Sequence, residues 1–244
     1  MRDLVDHPLI ETLQMDVCDQ TSIIRARDNL AEMTDRRLDI LFNSAGGNDY
    51  VTTILDASID DAKTVFETNF FSVIRVTQAF TPLLRRSGDA RVINVGSVAS
   101  EVPLPTMSMY GCSKAALALL GDTLRVELAP FGIQVMTVMA GTVKNSRDPS
   151  RVSVNVPPGS LYVPAKNRFA FIIARVEEGR MSTEAFAETV VTEVLRTRMK
   201  ARVWAGSNSW VVWLVRLIVP TWFLEFVLLR TYGLDGLSAS RRRS

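Results

Sequence analysis

The stretch Tyr110-Gly111-Cys112-Ser113-Lys114-Ala115-Ala116-Leu117 opens a helical pattern that runs on to about Leu128. Tyr110 and Lys114 stand four residues apart, so a helix puts them on one face, one turn from each other. An ammonium beside a phenol favours the phenolate and lowers the tyrosine pKa from its reference of about 10. A tyrosine so placed can give or take a proton near neutral pH. Taken alone, such a pair is most often a solvated helix edge, and its meaning comes from what surrounds it. Upstream, Arg91-Val92-Ile93-Asn94-Val95-Gly96-Ser97 reads as a buried strand running into a loop, with Ser97 at its end. Open α/β sheets bind ligands at the carboxyl ends of their strands. Leu38-Asp39-Ile40-Leu41-Phe42 is a second short apolar strand, closed by Asn43-Ser44-Ala45-Gly46-Gly47, and Asn69 falls inside the helical stretch that follows.

Strands and helices alternate outward from these landmarks. Residues 10–17 alternate in strand fashion and end at an acidic residue, Asp16. Residues 21–33 read as an amphipathic helix with Ile23, Ile24, Ala26, Leu30 and Met33 inward. A long helix is predicted over 58–84, a strand over 91–95, a helix over 107–128 and a strand over 133–138. Residues 183–199 read as a further amphipathic helix and 201–206 as the last strand. Such alternation means a parallel sheet covered on both faces. With 244 residues, 47% of them hydrophobic, the chain has the material for one full core.

Composition excludes several function classes. The net charge of +2 and the lack of a basic stripe interleaved with aromatics give no case for nucleic acid. The single histidine, His7, rules out a His-dependent triad or a His-rich metal site. The two cysteines, Cys18 and Cys112, have no metal-ligand spacing and fit a reduced, intracellular setting. Residues 1–6 carry no apolar run of the signal-peptide kind.

Taken as a set, Ser97, Tyr110-x-x-x-Lys114, Asn43-Ser44-Ala45-Gly46 and Asn69 resemble the short-chain dehydrogenase/reductase family over residues 11–205. The resemblance implies a Rossmann-like, doubly wound parallel sheet. It also implies hydride transfer between NADP(H) and a carbonyl compound. Carried over to this sequence, Tyr110 is the proton donor. Lys114 lowers the Tyr110 pKa and holds the nicotinamide ribose, Ser97 orients the carbonyl oxygen, and Asn69 holds a water that reloads the proton. Asp16 would face the adenine, and Asn43, Ala45 and Gly46 would line the adenosine-ribose side. Gly141 and Val143, in Met139-Ala140-Gly141-Thr142-Val143-Lys144-Asn145, would clasp the nicotinamide carboxamide. There the family's proline is replaced by Ala140 and its hydroxyl residue by Asn145. A homodimer is expected, and no metal.

The family normally opens with a strand, a Thr-Gly-x-x-x-Gly-x-Gly turn at a helix N-terminus that holds the pyrophosphate, and a second strand. No such stretch precedes Asp16. The expectation is a sheet lacking its first two strands, with residues 38–42 as an exposed edge. A start placed downstream of the natural one is the expected cause, a truncated protein the alternative.

The domain is expected over 1–206, with a substrate lid over about 146–181, followed by a hydrophobic helical extension over 207–244. The lid holds Arg147, Arg151, Lys166, Arg168, Arg175 and Arg180; one or two of these would meet a substrate phosphate, and a solvated basic face is the alternative. The extension has Trp210, Trp213 and Trp222 in a long apolar run interrupted by Arg216, Pro220 and Glu225. Two short helices broken at Pro220 and lying in a membrane interface fit it, with Arg241-Arg242-Arg243 adding attraction to anionic lipid. The alternative is a soluble helix pair covering the pocket or a dimer surface. Within the family, Gly141-Thr142-Val143-Lys144, Val203-Trp204-Ala205-Gly206-Ser207 and the Trp-rich tail are similar to fungal NADPH-dependent 1-acyldihydroxyacetone-phosphate reductases. That similarity implies a lipid-like ketone and the endoplasmic reticulum or lipid droplets. A reductase of secondary metabolism, and an inactive, truncated, membrane-associated homologue, stay open as alternatives.

Overall fold

The computed structural model describes residues 7–48, 50–144 and 153–237. Its centre is a parallel sheet of four strands, β1 (Ile40–Asn43), β2 (Ala90–Val95), β3 (Ile133–Ala140) and β4 (Arg202–Ala205), ordered 1-2-3-4. The register pairs Asn43 with Asn94, Asn94 with Thr137, and Thr137 with Arg202. Helices α1 (Gln20–Met33), α2 (Ile59–Phe66), α3 (Ser72–Leu84), α4 (Ser108–Leu128), α5 (Lys166–Glu178) and α6 (Thr183–Val194) complete the domain. Several begin where a short polar side chain takes up an unpaired N–H: Asp19 accepts from Thr21, Ser58 from Asp61, Ser182 from Ala185.

The pleat sorts each strand's residues to two faces. Ala90, Val92, Ile133 and Val135 pack under Leu84 of α3 and Leu128 of α4. Ile93, Met136, Val138 and Val203 pack under Val190 and Val194 of α6. The sheet is therefore covered on both sides, as the alternation of elements requires.

Three readings of the sequence are corrected. Residues 10–17 form no strand. Among the described residues no strand lies on the open side of β1, and an extended segment without a ladder partner is not held as sheet. As expected, β1 is an edge, with Ile40 and Phe42 exposed. On α1, Ile23 and Ala26 are buried and Leu30 packs beside them, but Ile24 and Met33 are exposed. The helix rests mainly on α3, through Val76, Ala79 and Phe80, so only a narrow stripe is covered. The helix predicted over 58–84 is three pieces, because a π-turn at Glu67–Phe71 separates α2 from α3.

Beyond β4 the extension forms α7 (Ser209–Ile218) and α8 (Thr221–Thr231), broken at Pro220. Pro220 supplies no N–H and leaves the preceding residue extended, which ends α7. Leu228 and Tyr232 pack on Phe169 of α5, so extension and lid share a small core with Val156 and Ala165. The outer face stays bare: Trp210, Trp213, Leu217, Trp222 and Phe226 are exposed. Among the described residues no helix is long and apolar enough to cross a membrane. Arg147, Arg151, Asn145 and Arg241-Arg242-Arg243 lie outside the described residues.

A polar row crosses the apolar sheet just below its carboxyl edge. Asn43 donates to Asn94 at 2.9 Å, and Asn94 lies opposite Thr137, which faces Gly121 of α4. A Cβ at Gly121 would come within 2.2 Å of the Thr137 hydroxyl oxygen, so α4 can lie this close only with glycine there. Gly121→Ala is expected to lose about 1–2 kcal/mol in chemical denaturation, overpacking exceeding the gain in helix propensity. Adding Thr137→Ala should restore most of that loss; a single variant as stable as the parent would show that the contact is not tight.

Candidate active site

The site sits where three chain segments meet at the carboxyl edge of the sheet. The loop leaving β1 brings Gly46 and Gly47, the π-turn brings Asn69, and the N-terminal turns of α4 bring Tyr110, Ser113 and Lys114. Asn69 is fully buried. Its amide oxygen accepts from the Gly47 N–H at 2.9 Å, and its amide nitrogen donates to the Gly47 carbonyl at 3.0 Å and to Ser113 Oγ at 3.0 Å. Ser113 in turn donates to the Tyr110 carbonyl at 2.8 Å. The wide π-turn departs from the regular ladder at the level of Asn69, a distortion that recurs at functional positions.

Lys114 is the buried charge of the site, 4% exposed. Its Nζ donates to the Val95 carbonyl at 2.8 Å, where β2 ends, and lies 5.9 Å from the centre of the Tyr110 ring. Burial pushes its pKa down to about 8, since the ammonium loses water that one carbonyl only partly replaces. Gly46 closes over this group at φ 151°. A Cβ there would lie 2.6 Å from the Asn69 amide oxygen and 3.3 Å from Lys114 Nζ, so only glycine fits. Ser97 is buried beyond the end of β2, and its Oγ accepts from the Ala99 N–H at 3.1 Å.

Ser97 and Tyr110 line one cavity of about 380 Å³ together with Gly46, Gly47, Asn48 and Gly141. Val51, Leu104, Met107, Ile172, Val176 and Tyr232 form its apolar walls, so α5 and the end of the C-terminal extension both roof it. Of the lid cations within the described residues, Arg180 alone reaches the wall; Lys166, Arg168 and Arg175 are exposed.

The other residues singled out in the sequence stand elsewhere. Asp16 is exposed and its carboxylate accepts from the Cys18 N–H at 2.8 Å, shaping the entry to α1. The Asn43 amide turns inward to Asn94 and Thr77. Ala45 is exposed, and Val143 is half-buried outside the cavity lining. Gly141 lines the cavity, but its N–H donates to the Ala205 carbonyl at 2.7 Å. A Cβ on Gly141 would meet the Ser207 carbonyl at 2.2 Å, and one on Gly206 would meet Gly141 at 2.9 Å. These two glycines let the loops after β3 and β4 touch backbone to backbone. Sequence reasoning gives no role to Ser113, Asn48 or Tyr232. Only Ser113, inside the Tyr-x-x-x-Lys spacing, carried a local signal.

The donor set fits the nicotinamide-ribose half of a dinucleotide. Lys114 has three N–H donors and spends one on Val95, and Gly46 keeps the space above it clear. The described residues hold no glycine-rich pyrophosphate turn; the first glycine of the sequence is Gly46.

Comparison with known proteins agrees with this geometry. The family model for short chain dehydrogenase matches residues 4–152. The short-chain dehydrogenase ptmH of Penicillium ochrochloron is 33% identical over 236 residues, covering 96% of this chain and 85% of the relative. The NADPH-dependent 1-acyldihydroxyacetone phosphate reductase of Schizosaccharomyces pombe is 32% identical, covering 82% and 71%. A short-chain dehydrogenase structure from Streptomyces avermitilis superposes with a TM-score of 0.72 at 22% identity, over 95% of this chain and 81% of that one. One from Burkholderia cenocepacia in complex with NADP gives 0.69 at 24%, over 91% and 80%. The extent of the matches, together with a Ser, Tyr and Lys converging at the strand ends, means that the chain belongs to the short-chain dehydrogenase family of oxidoreductases.

Proposed function

We propose that this chain reduces an apolar ketone to a secondary alcohol, with Tyr110 as proton donor and NADPH as cofactor. The observation that carries the reading is the meeting of Ser97 and Tyr110 at one apolar-walled cavity, with the buried Lys114 against the Tyr110 ring. NADPH supplies the hydride when bound. The Ser97 hydroxyl donates to the ketone oxygen and fixes its approach. Tyr110 gives its proton to that oxygen as negative charge develops there. The Lys114 ammonium, facing the Tyr110 ring, favours loss of that proton and offers its remaining N–H groups to ribose hydroxyls. Asn69 holds Gly47, and through it Gly46, in place. Because its amide is committed to Gly47 and Ser113, a proton-reloading water would meet Asn69 through the main chain. Asp16, Asn43, Ala45, Gly141 and Val143 complete the proposed cofactor contacts, with Gly141 contributing its carbonyl.

The NADPH-dependent relative supports the choice of NADPH. Arg180 on the cavity wall supports a phosphate-bearing lipid ketone such as an acyl-dihydroxyacetone phosphate. The extent of apolar wall suits a greasy ketone of secondary metabolism equally well. The bare face of α7 and α8, with its tryptophans, supports an intracellular seat on a lipid surface such as the endoplasmic reticulum or a lipid droplet. Exposed Ile59, Phe71, Leu119 and Val126 on α2 to α4 support a homodimer. An inactive, membrane-associated remnant is the competing reading.

Quenching of tryptophan fluorescence by NADPH in the purified chain separates enzyme from remnant, a micromolar midpoint being expected for the enzyme. Tyr110→Phe should lower turnover about 10²–10⁴-fold while leaving that midpoint nearly unchanged. Comparable turnover by the variant would remove Tyr110 as donor. The pH profile tests Lys114 separately. Lys114 carries its charge below about 8 and loses it above, so kcat/KM for ketone reduction should fall as pH rises through that value. Lys114→Arg, which stays charged, should move the fall to higher pH. A profile unaltered by that substitution would dissociate the fall from Lys114.

A further inference from the structure

We propose that Glu101 is a positioning residue that, held by Arg202, fixes the Ser97 hydroxyl for the ketone; this rests on the reductase reading above. Ser97 stands just past the end of β2 and caps a 3₁₀ turn over Val98–Ser100. Its Oγ enters the turn as acceptor for the Ala99 N–H, at 3.1 Å, so the hydroxyl keeps its proton to give. Its carbonyl accepts from the Ser100 N–H at 3.1 Å and from the Ser100 hydroxyl at 2.6 Å. The Glu101 N–H closes the turn on the Val98 carbonyl at 3.1 Å. The direction of the hydroxyl is therefore set by the turn and not by the strand. A 3₁₀ turn of three residues has strained hydrogen bonds and little stability of its own, so its far end must be anchored.

The anchor is the Glu101 side chain, 17% exposed. One of its carboxylate oxygens accepts from Arg202 Nη1 at 3.4 Å, while Nη2 of the same guanidinium donates to the Asp122 carboxylate at 2.6 Å. Arg202 opens β4, and Asp122 lies on α4, the helix that carries Tyr110 and Lys114. The two arms of one planar group thus tie the turn that holds Ser97 to the helix that holds the proton donor. The exposed Arg216 of α7 stands further off, 3.9 Å from the other carboxylate oxygen, and contributes little. Where the turn meets α4 there is no slack: a Cβ at Gly111 would come within 2.9 Å of the Ala99 carbonyl oxygen. Backbone contact at one end and an ion pair at the other hold the turn against the helix. Glu101, Arg202 and Asp122 all lie outside the cavity lining, so they act on the reaction through Ser97 and not on the substrate.

The test reads the turn directly and then the reaction. Exchange of the Ala99 amide hydrogen, followed by NMR in the purified chain, reports the bond to Ser97 Oγ and needs no turnover. Glu101→Leu, close in size but without an acceptor for Arg202, is expected to speed that exchange at least about tenfold while leaving the Gly47 amide unchanged. Glu101→Gln, which keeps one oxygen for Arg202, should fall between parent and Glu101→Leu. With 1-hydroxy-2-octanone as the ketone, Glu101→Leu should lower kcat about tenfold and leave KM and the NADPH midpoint within about threefold. In a Ser97→Ala background the same substitution should lower kcat no further, since no hydroxyl remains to be misplaced. Unaltered Ala99 exchange in Glu101→Leu would overturn the inference, and so would an equal fall in kcat with and without the Ser97 hydroxyl. If Ala99 exchange responds but the parent chain does not turn over the ketone, the anchor is upheld and the reductase reading alone is contradicted.

Discussion

A positive charge taken out of water at the end of a strand is the constraint on which the site depends. Lys114 is nearly inaccessible, and its ammonium donates to the Val95 carbonyl at the last residue of β2. Burying such a group is unfavourable unless it is paired, and the penalty appears as a pKa drawn down to about 8. Everything near it follows from keeping that charge both buried and reachable. The loop above must be glycine at position 46, or its side chain would occupy the space over Nζ. That loop has no ladder of its own to hold it, so both polar groups of Gly47 are tied to the Asn69 amide. Asn69 can reach them because the helix widens into a π-turn there, and its remaining N–H reaches across to Ser113 on the helix that carries Lys114. One buried side chain thus ties the loop, the π-turn and α4 into a single unit.

The sheet sets the distances. Parallel strands of matched register end at nearly the same level, which brings Gly46, Ser97 and Gly141 to one rim. On the far side, Gly141 and Gly206 allow the loops after β3 and β4 to close on each other, and the lid continues from that seam through Met181, whose N–H donates to the Thr142 carbonyl at 3.1 Å. The C-terminal extension takes part too. Tyr232 at its end lines the cavity and packs on Phe169 of the lid, so a segment that reads as an appendage contributes to the roof.

Much of this was legible in the sequence, and the exceptions have physical causes. The strands over 38–42, 91–95, 133–138 and 201–206 have apolar runs bounded by small or polar residues, and each is present with its boundaries shifted by a few residues. The Pro220 break was read correctly because proline acts locally. Residues 10–17 failed because a strand needs a neighbour, and periodicity does not report one. The π-turn was invisible since an inserted turn hardly disturbs the apolar pattern of a helix. The motifs that hold Asn43 and Gly141 say nothing of their packing: the Asn43 amide faces Asn94, and a Cβ on Gly141 would collide with the Ser207 carbonyl. Asn48 carries no signal, because a place on the cavity wall is a property of the folded surroundings and not of the residue.

The central claim, hydride transfer to a carbonyl at this cavity, is tested most directly by following the hydrogen itself. The purified chain is given 1-hydroxy-2-octanone with NADPH deuterated at the reactive carbon of its nicotinamide, and the product is weighed by mass spectrometry. The account predicts a diol one mass unit heavier with the label on the new carbinol carbon, while deuterated solvent labels only exchangeable positions. Recovery of unchanged ketone, or of a diol whose carbinol hydrogen comes from the solvent, would contradict it.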